Sequence, residues 1–500
     1  MFYKRRIKMK IWSVSFLATA VAVALSSNAI ACTGLIVGKE ASSDGSIMIA
    51  RNEDFSINNW NKYLKYRPAQ DNQEGDWQLG NGLIVPMPKH FFAYSAIPDW
   101  DADTVNRDGK FYEERGINEH NVAISATTSA EINDKVAKVD PLIDNGVIEA
   151  IIPTLILPQA ENAKQAVELL GHYIETYGAG EGNSLYIADT NEAWLFEIGS
   201  GHHWIAVKVP DDSYAMIANG LRVHDVNLAN KEVLHSKDIF EFVEQHKLLD
   251  NADKKSFNFA KAFGVIGDEY NIDREWLGQK ILTPSLHQQS RMAQYPLFMK
   301  PDTKISVENV AEVLSATYKD TVLEGKSKRP IRVERQLESH IIQLRPEMPE
   351  ELQGIIWQSF GVLPESVLVP LYSTLQDYPK AYQVGDDNYN DDSAYWQFRS
   401  LTALASTNPD KYLPILKATW DKEETQLYKQ VAHLDKTLTD MYKVDKQAAL
   451  DMAADYSYGQ LKRTLDMATE LRYKMITDLT KSTEKKLSLI HISEPTRLTC

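Results

Sequence analysis

Cysteine is nearly absent from this chain: its 500 residues contain two, Cys32 and Cys500. A framework of several disulfides, the usual device of exported proteins, is therefore excluded. HExxH, CxxC, P-loop and dinucleotide-binding patterns are also missing, so neither a metal nor an organic cofactor is expected. Positive charge is in deficit, with 54 Lys and Arg against 69 Asp and Glu and a formal net charge of -15. That balance argues against nucleic acid and anionic membranes as partners. Long apolar runs are scarce as well. The one from Ile11 to Leu25 falls short of the ~20 residues that span a bilayer, and no second run of that length follows.

That short run belongs to a recognisable arrangement. Lys4, Arg5, Arg6, Lys8 and Lys10 precede it and Ala29-Ile30-Ala31 closes it, the pattern of a cleavable secretory signal. Residues 1–31 are expected to be removed and the product exported, periplasmic or extracellular, with no stable membrane anchor. At the other end, "LSLIHISEPTRLTC" (487–500) resembles a translated sequencing adaptor, which makes it foreign to the fold and leaves Cys500 without a role; if the segment is genuine, Cys500 becomes a candidate partner for Cys32. Removing the leader takes the net charge to -20, since Glu494 and Arg497 cancel. Residues 32–486 are ample for a large core.

A single thiol directly behind Ala-x-Ala admits three readings. An inert buried cysteine would sit at the cleavage point by coincidence. A lipid-attachment cysteine normally has Leu three positions upstream, where this chain has Ala29. A nucleophile fits the position chemically, because after cleavage Cys32 would carry both the thiol and an α-amine of pKa ~7.7 to 8.0 able to take its proton.

The residues that follow read as an antiparallel hairpin. Apolar runs 34–38 and 46–50 flank a loop with Ser43-Asp44-Gly45, a turn signal between strand-like segments. Placing Gly38 opposite Ser46 puts Cys32 opposite Asn52. The thiol then lies near Arg51, Asn52, Glu53 and Asp54, where a carboxylate could hold the amine and a guanidinium could lower the thiol pKa. The plainer alternative for Arg51 and Asp54 is a solvated ion pair at a strand end.

"ACTGLIVGKEASSDGSIMIARNEDF" (31–55) resembles the start of the mature region in cysteine dipeptidases related to dipeptidase A of lactic acid bacteria and to the secernins. "GINEHNVAISATTSA" (116–130), "EGNSLYIADTNEAWLFEIGSGHHWIAVKVPDDSYAMIANGLRV" (181–223), "LTPSLHQQSR" (282–291) and "ESHIIQLRPEMPEELQGIIWQSFGVLPESVLVPLY" (338–372) resemble the same family in the same order. The resemblance implies an α+β fold of the N-terminal nucleophile hydrolase type, a four-layer αββα sandwich over 32–385; beyond it the texture of the chain changes and reads as a mainly helical C-terminal region over 386–486. The resemblance also implies dipeptide substrates and a cysteine nucleophile.

The residue roles it implies are specific. Cys32 is the nucleophile, and Arg51 and Asp54 match an Arg-Asn-x-Asp element beside it. Asn219, in "MIANGLRV", matches an oxyanion-holding asparagine, an ordinary turn residue before Gly220 being the alternative. Thr128 falls where relatives place a second asparagine. Arg291, or alternatively Arg274, matches a late site arginine; a surface salt bridge is the competing reading of either.

Elsewhere the pattern is coarser. Strand-like runs at 185–188, 193–198, 204–209 and 214–218 are expected to form a meander, and 160–177 a helix. In "HHWIAVKV" the alternation puts His202 and His203 on opposite faces of a strand. Residues 421–481, charged and free of proline, read as helices, with 421–424 a solvated face. Two other functions fit the same features: an amidase of the penicillin V acylase or bile salt hydrolase type, and a binding protein lipidated at Cys32. The sequence leaves a homo-oligomer open.

Overall fold

The computed structural model describes residues 32–54, 61–100 and 113–492, without the side chains of 126–128 and 484–492. The leader and residues 493–500 lie outside this description.

The apolar runs after Cys32 form the expected hairpin, Thr33–Val37 against Ile47–Asp54, with Thr33 opposite Asn52 and Gly34 opposite Arg51. The expected register is thus wrong by one residue. The connecting loop is tied to its surroundings rather than closed as a symmetric turn. Glu40 and Ala41 donate backbone N–H groups to Asp211, Ser43 donates to Ile305, and Asp44 accepts from the backbone and hydroxyl of Ser46. A one-residue slip changes which face each side chain occupies. It moves Cys32 from the Asn52 face of the sheet to the face of Arg51 and Glu53.

This hairpin sits in a six-stranded antiparallel sheet, in the order Tyr214–Ile217, Thr33–Val37, Ile47–Asp54, Gln336–Leu344, Gly354–Phe360, Val369–Tyr372. A nine-stranded antiparallel sheet faces it. Its path runs Val233–His235, Trp204–Lys208, Ala193–Ile198, Gly182–Ala188, Ala123–Ala130, Glu113–Asn118, Tyr94–Trp100, Asn61–Lys62, with Lys65–Arg67 also paired to Tyr94–Trp100. The meander therefore holds for three of its four strands. Tyr214–Ile217 crosses to the other sheet and pairs with Thr33–Val37.

Helices cover the outer faces and complete the αββα layering. Asn162 caps Ala163–Tyr177 by accepting from the Gln165 N–H, and the helix stops at Gly178, whose φ of 82° suits glycine. Its apolar face, Ala166, Val167, Leu170 and Ile174, is buried against the nine-stranded sheet. Glu269–Leu282 and Val307–Leu314 pack on the six-stranded sheet. The C-terminal helices Ala394–Ala405, Pro409–Tyr442 and Lys446–Ile492 pack on one another and on Gly354–Phe360 and Val369–Tyr372. They share its hydrophobic core, with Leu401, Trp420, Leu427 and Leu461 buried.

Candidate active site

Cys32 is fully buried at the entrance to the first strand. The ladder pairing Gly34 with Ile217, continued by two pairs, brings Asn219 across from it. Asn219 is reached by no local pattern; it arrives because Tyr214–Ile217 changes sheets. A third element then locks the two together. On the helix Glu269–Leu282, Arg274 donates from Nη1 to the Cys32 carbonyl oxygen at 2.5 Å and to Thr33 Oγ1 at 2.9 Å, and from Nη2 to Asn219 Oδ1 and Asn271 Oδ1, both at 2.8 Å. Asn271 returns a hydrogen bond to the Asn219 backbone carbonyl at 2.9 Å. With Oδ1 held by the guanidinium, the donor end of the Asn219 amide is directed away from Arg274.

On the face between the sheets, Arg51 is the cation that most lowers the Cys32 pKa. Burial nevertheless prevails and pushes the thiol well above its ordinary value, with Glu149, Asp54 and Glu53 adding to the rise. That environment favours the neutral thiol over the thiolate. Arg51 itself is enclosed by carboxylates: Glu114 at 2.9 Å, Glu53 at 3.3 Å and Glu149 at 3.5 Å. Behind them lies Lys62, fully buried, paired with Glu53 at 2.5 Å and with Asp99. Among the described residues Glu53, Asp99 and Glu114 make the one carboxylate group compact enough for a metal. The Lys62 ammonium already bonds two of its members, which is charge compensation of the kind buried carboxylates require.

The opposite face carries the reverse charge. Asp54, fully buried, pairs with Arg329 through Oδ2, while its Oδ1 has no hydrogen-bond partner among the described residues. Burial raises its pKa even beside Arg329, Arg274 and Arg335. Burial, and Arg329 next to it, push Arg274 down to about 9. Asn52, between Arg51 and Asp54, points to neither cluster. It donates to the backbone carbonyls of Leu314 and Ile331 and accepts from Ser339, so it fastens the helix Val307–Leu314 to the sheet.

The sequence matches the model of peptidase family C69 over residues 31–422. The chain belongs to peptidase family C69. A probable dipeptidase of Latilactobacillus sakei is 35% identical over 393 residues, 76% of this chain and 81% of the relative. A probable dipeptidase B of Streptococcus pyogenes serotype M1 is 30% identical over 499 residues, covering 94% and 97%. A probable dipeptidase A of Streptococcus pyogenes serotype M3 is 33% identical over 459 residues, covering 87% and 96%.

Within this peptidase the structure gathers Cys32, Arg51, Asp54 and Asn219 and leaves Arg291 out. Arg291 is about one-third exposed and pairs with Glu269 at 3.0 Å and Asp273 at 3.6 Å. The arginine that reaches Cys32 is Arg274. Thr128 pairs through its backbone with Ser184, just past an irregularity in the strand; its side chain lies outside the described residues. The two histidines depart from expectation: the strand begins at Trp204, so His202 and His203 lie in the preceding turn, and both Nδ1 atoms meet Asp140 at 2.8 Å.

Glu149, Glu114, Lys62, Tyr270, Asn271 and Arg329 escaped the sequence reading. One signal for part of this group was present. The helix Glu269–Leu282 buries Asn271, Asp273, Arg274, Glu275 and Gln279, and a helix this polar is rarely buried unless those groups have partners to meet.

Proposed function

We propose that this peptidase is an exported dipeptidase whose nucleophile is the thiol of Cys32, made N-terminal by removal of residues 1–31. The observation carrying this reading is the joint hold of Arg274 on the Cys32 carbonyl and the Asn219 amide. It sets a thiol and a side-chain donor close together just beyond the ends of two adjacent strands, as acyl transfer requires. The names of the relatives, probable dipeptidases, support the substrate class.

In this mechanism the free α-amine of Cys32 accepts the thiol proton and the thiolate adds to the peptide carbonyl. Asn219 Nδ2 donates to the developing oxyanion. The α-ammonium then protonates the departing amine, the C–N bond breaks, and a thioester remains on Cys32. Water, deprotonated by the same amine, hydrolyses it and restores the thiol. The Asp54 Oδ1 atom, buried and unpartnered among the described residues, is suited to hold the ammonium between these transfers. Arg51 moderates the cost of the thiolate.

Intact mass of the exported protein tests processing, and Cys32→Ser tests chemistry. The expected product begins at Cys32, without acyl mass, and hydrolyses dipeptides but not a penicillin V-type amide. Full activity of Cys32→Ser, a different N-terminus on the active enzyme, or lipid on Cys32 would refute the mechanism.

A further inference from the structure

The positive cluster beside Asp54 is larger than Asp54 can neutralise, and this sets the chemistry of what binds there. Tyr270 is its centre. Arg274 lies over its ring at 5.0 Å and Arg329 at 5.7 Å. The phenol oxygen accepts from Arg329 Nε at 3.3 Å and from Arg335 Nη2 at 3.0 Å. Arg329 is matched by Asp54. Arg274 is bonded entirely to neutral acceptors, namely the Cys32, Tyr270, Thr33, Asn219 and Asn271 oxygens. Arg335 makes its hydrogen bond to the neutral phenol, and its Nε is buried with no acceptor among the described residues. A phenol already accepting from two guanidinium groups has its own hydrogen to give, and no described acceptor takes it. Arg335 and Tyr270 are each only partly buried, so a ligand can reach them.

We propose that Arg335 and the Tyr270 hydroxyl form a carboxylate subsite that holds the C-terminal carboxylate of the peptide substrate. The inference rests on the dipeptidase reading and deepens it. A partly buried guanidinium with an open donor favours a planar anion, which it can bind with two hydrogens at once. Tyr270 stacks on Arg274, and Arg274 touches Cys32, so the anchored carboxylate lies a short span from the nucleophile. Such a span suits one residue beyond the scissile bond. The subsite would thereby limit the enzyme to dipeptides: a longer chain places a neutral peptide group where the anion belongs and leaves the guanidinium unpaired.

The test compares Ala-Ala, its C-terminal amide Ala-Ala-NH2 and tri-alanine on the mature enzyme and on Arg335→Met, Arg335→Lys and Tyr270→Phe. The wild type should prefer the free carboxylate by about 100-fold in kcat/KM, the scale of a charge-assisted pair. Arg335→Met should abolish most of that preference, chiefly through a higher KM for Ala-Ala, with a much smaller effect on the amide. Arg335→Lys should restore part of it, and Tyr270→Phe should lose roughly 10-fold on Ala-Ala alone. Equal cleavage of acid and amide by the wild type, or equal loss on both in Arg335→Met, overturns the subsite and leaves the dipeptidase reading standing. Absence of turnover of all three by the wild type overturns both.

Discussion

Arg274 donates to the Cys32 carbonyl oxygen at 2.5 Å, and the same guanidinium holds Asn219 Oδ1 at 2.8 Å. One side chain thus sets the spacing between the thiol-bearing residue and the amide proposed to receive the oxyanion.

The first prediction concerns that spacing. Lysine keeps the charge of Arg274 but not its planar fork, so Arg274→Lys should lower kcat by about 100-fold or more, as loss of one oxyanion donor does. Asn219→Ala should cost a similar factor. If Arg274 acts through Asn219, the double variant should be scarcely worse than either single one. Steady-state kinetics on all four proteins checks this, and multiplicative losses would show independent roles.

A second prediction concerns Asp54. A buried carboxylate beside the α-amine stabilises the ammonium and raises its pKa. Replacing the charge in Asp54→Asn should therefore move the acidic limb of the kcat/KM profile to lower pH, by about one unit, as well as lowering its plateau. It also strands Arg329, at a cost of about 3–5 kcal/mol in stability. The Asp54→Asn/Arg329→Met double variant should recover much of the stability but not the profile, which separates the two effects.

Glu197 offers a pH test away from Cys32. It is fully buried and accepts from the Arg222 and Val223 N–H groups and from Ser184, just after Asn219. Burial raises its pKa to about 7 from an ordinary 4.5. A carboxyl whose folded pKa is raised contributes its full stability below the unfolded value and loses it as pH rises from about 4.5 to 7. Relative to Glu197→Gln, the wild type should therefore lose roughly 3 kcal/mol across that window and no more above it. Urea unfolding of the two proteins at several pH values measures the difference, and a flat difference would contradict the raised pKa.

The C-terminal helices should prove integral to the main core. Trp420 is buried and donates through Nε1 to the Glu365 carbonyl at 2.9 Å, while Asp435 accepts from Tyr372 at 2.6 Å and pairs with Arg345 at 2.7 Å. Trp420→Ala should destabilise the whole protein by about 3–5 kcal/mol in a single transition. A separate early transition, seen calorimetrically, would mean that the helices unfold independently.

Local chemistry made part of this protein legible in advance. Alternating apolar residues around Ser43-Asp44-Gly45 specify a hairpin, Asn162 and Gly178 bound a helix, and the stretch 31–55 carries the family resemblance together with Cys32, Arg51 and Asp54. These depend on neighbours in the chain, and a sequence displays its neighbours. The exact register of the hairpin was less accessible, because contacts from Asp211 and Ile305 set it, far along the chain.

Tertiary structure alone decided the rest. Whether Tyr214–Ile217 continues a meander or crosses to the sheet that carries Cys32 is invisible in its composition, yet that crossing brings Asn219 to Cys32. Arg274 and Arg291 are both arginines downstream of Asn219; only the packing of the helix Glu269–Leu282 on the sheet aims one at Cys32 and leaves the other with Glu269. Periodicity determines which face of an element is apolar. Which distant element meets that face, and which buried charge it delivers there, follows from the joint packing of two sheets and their helices.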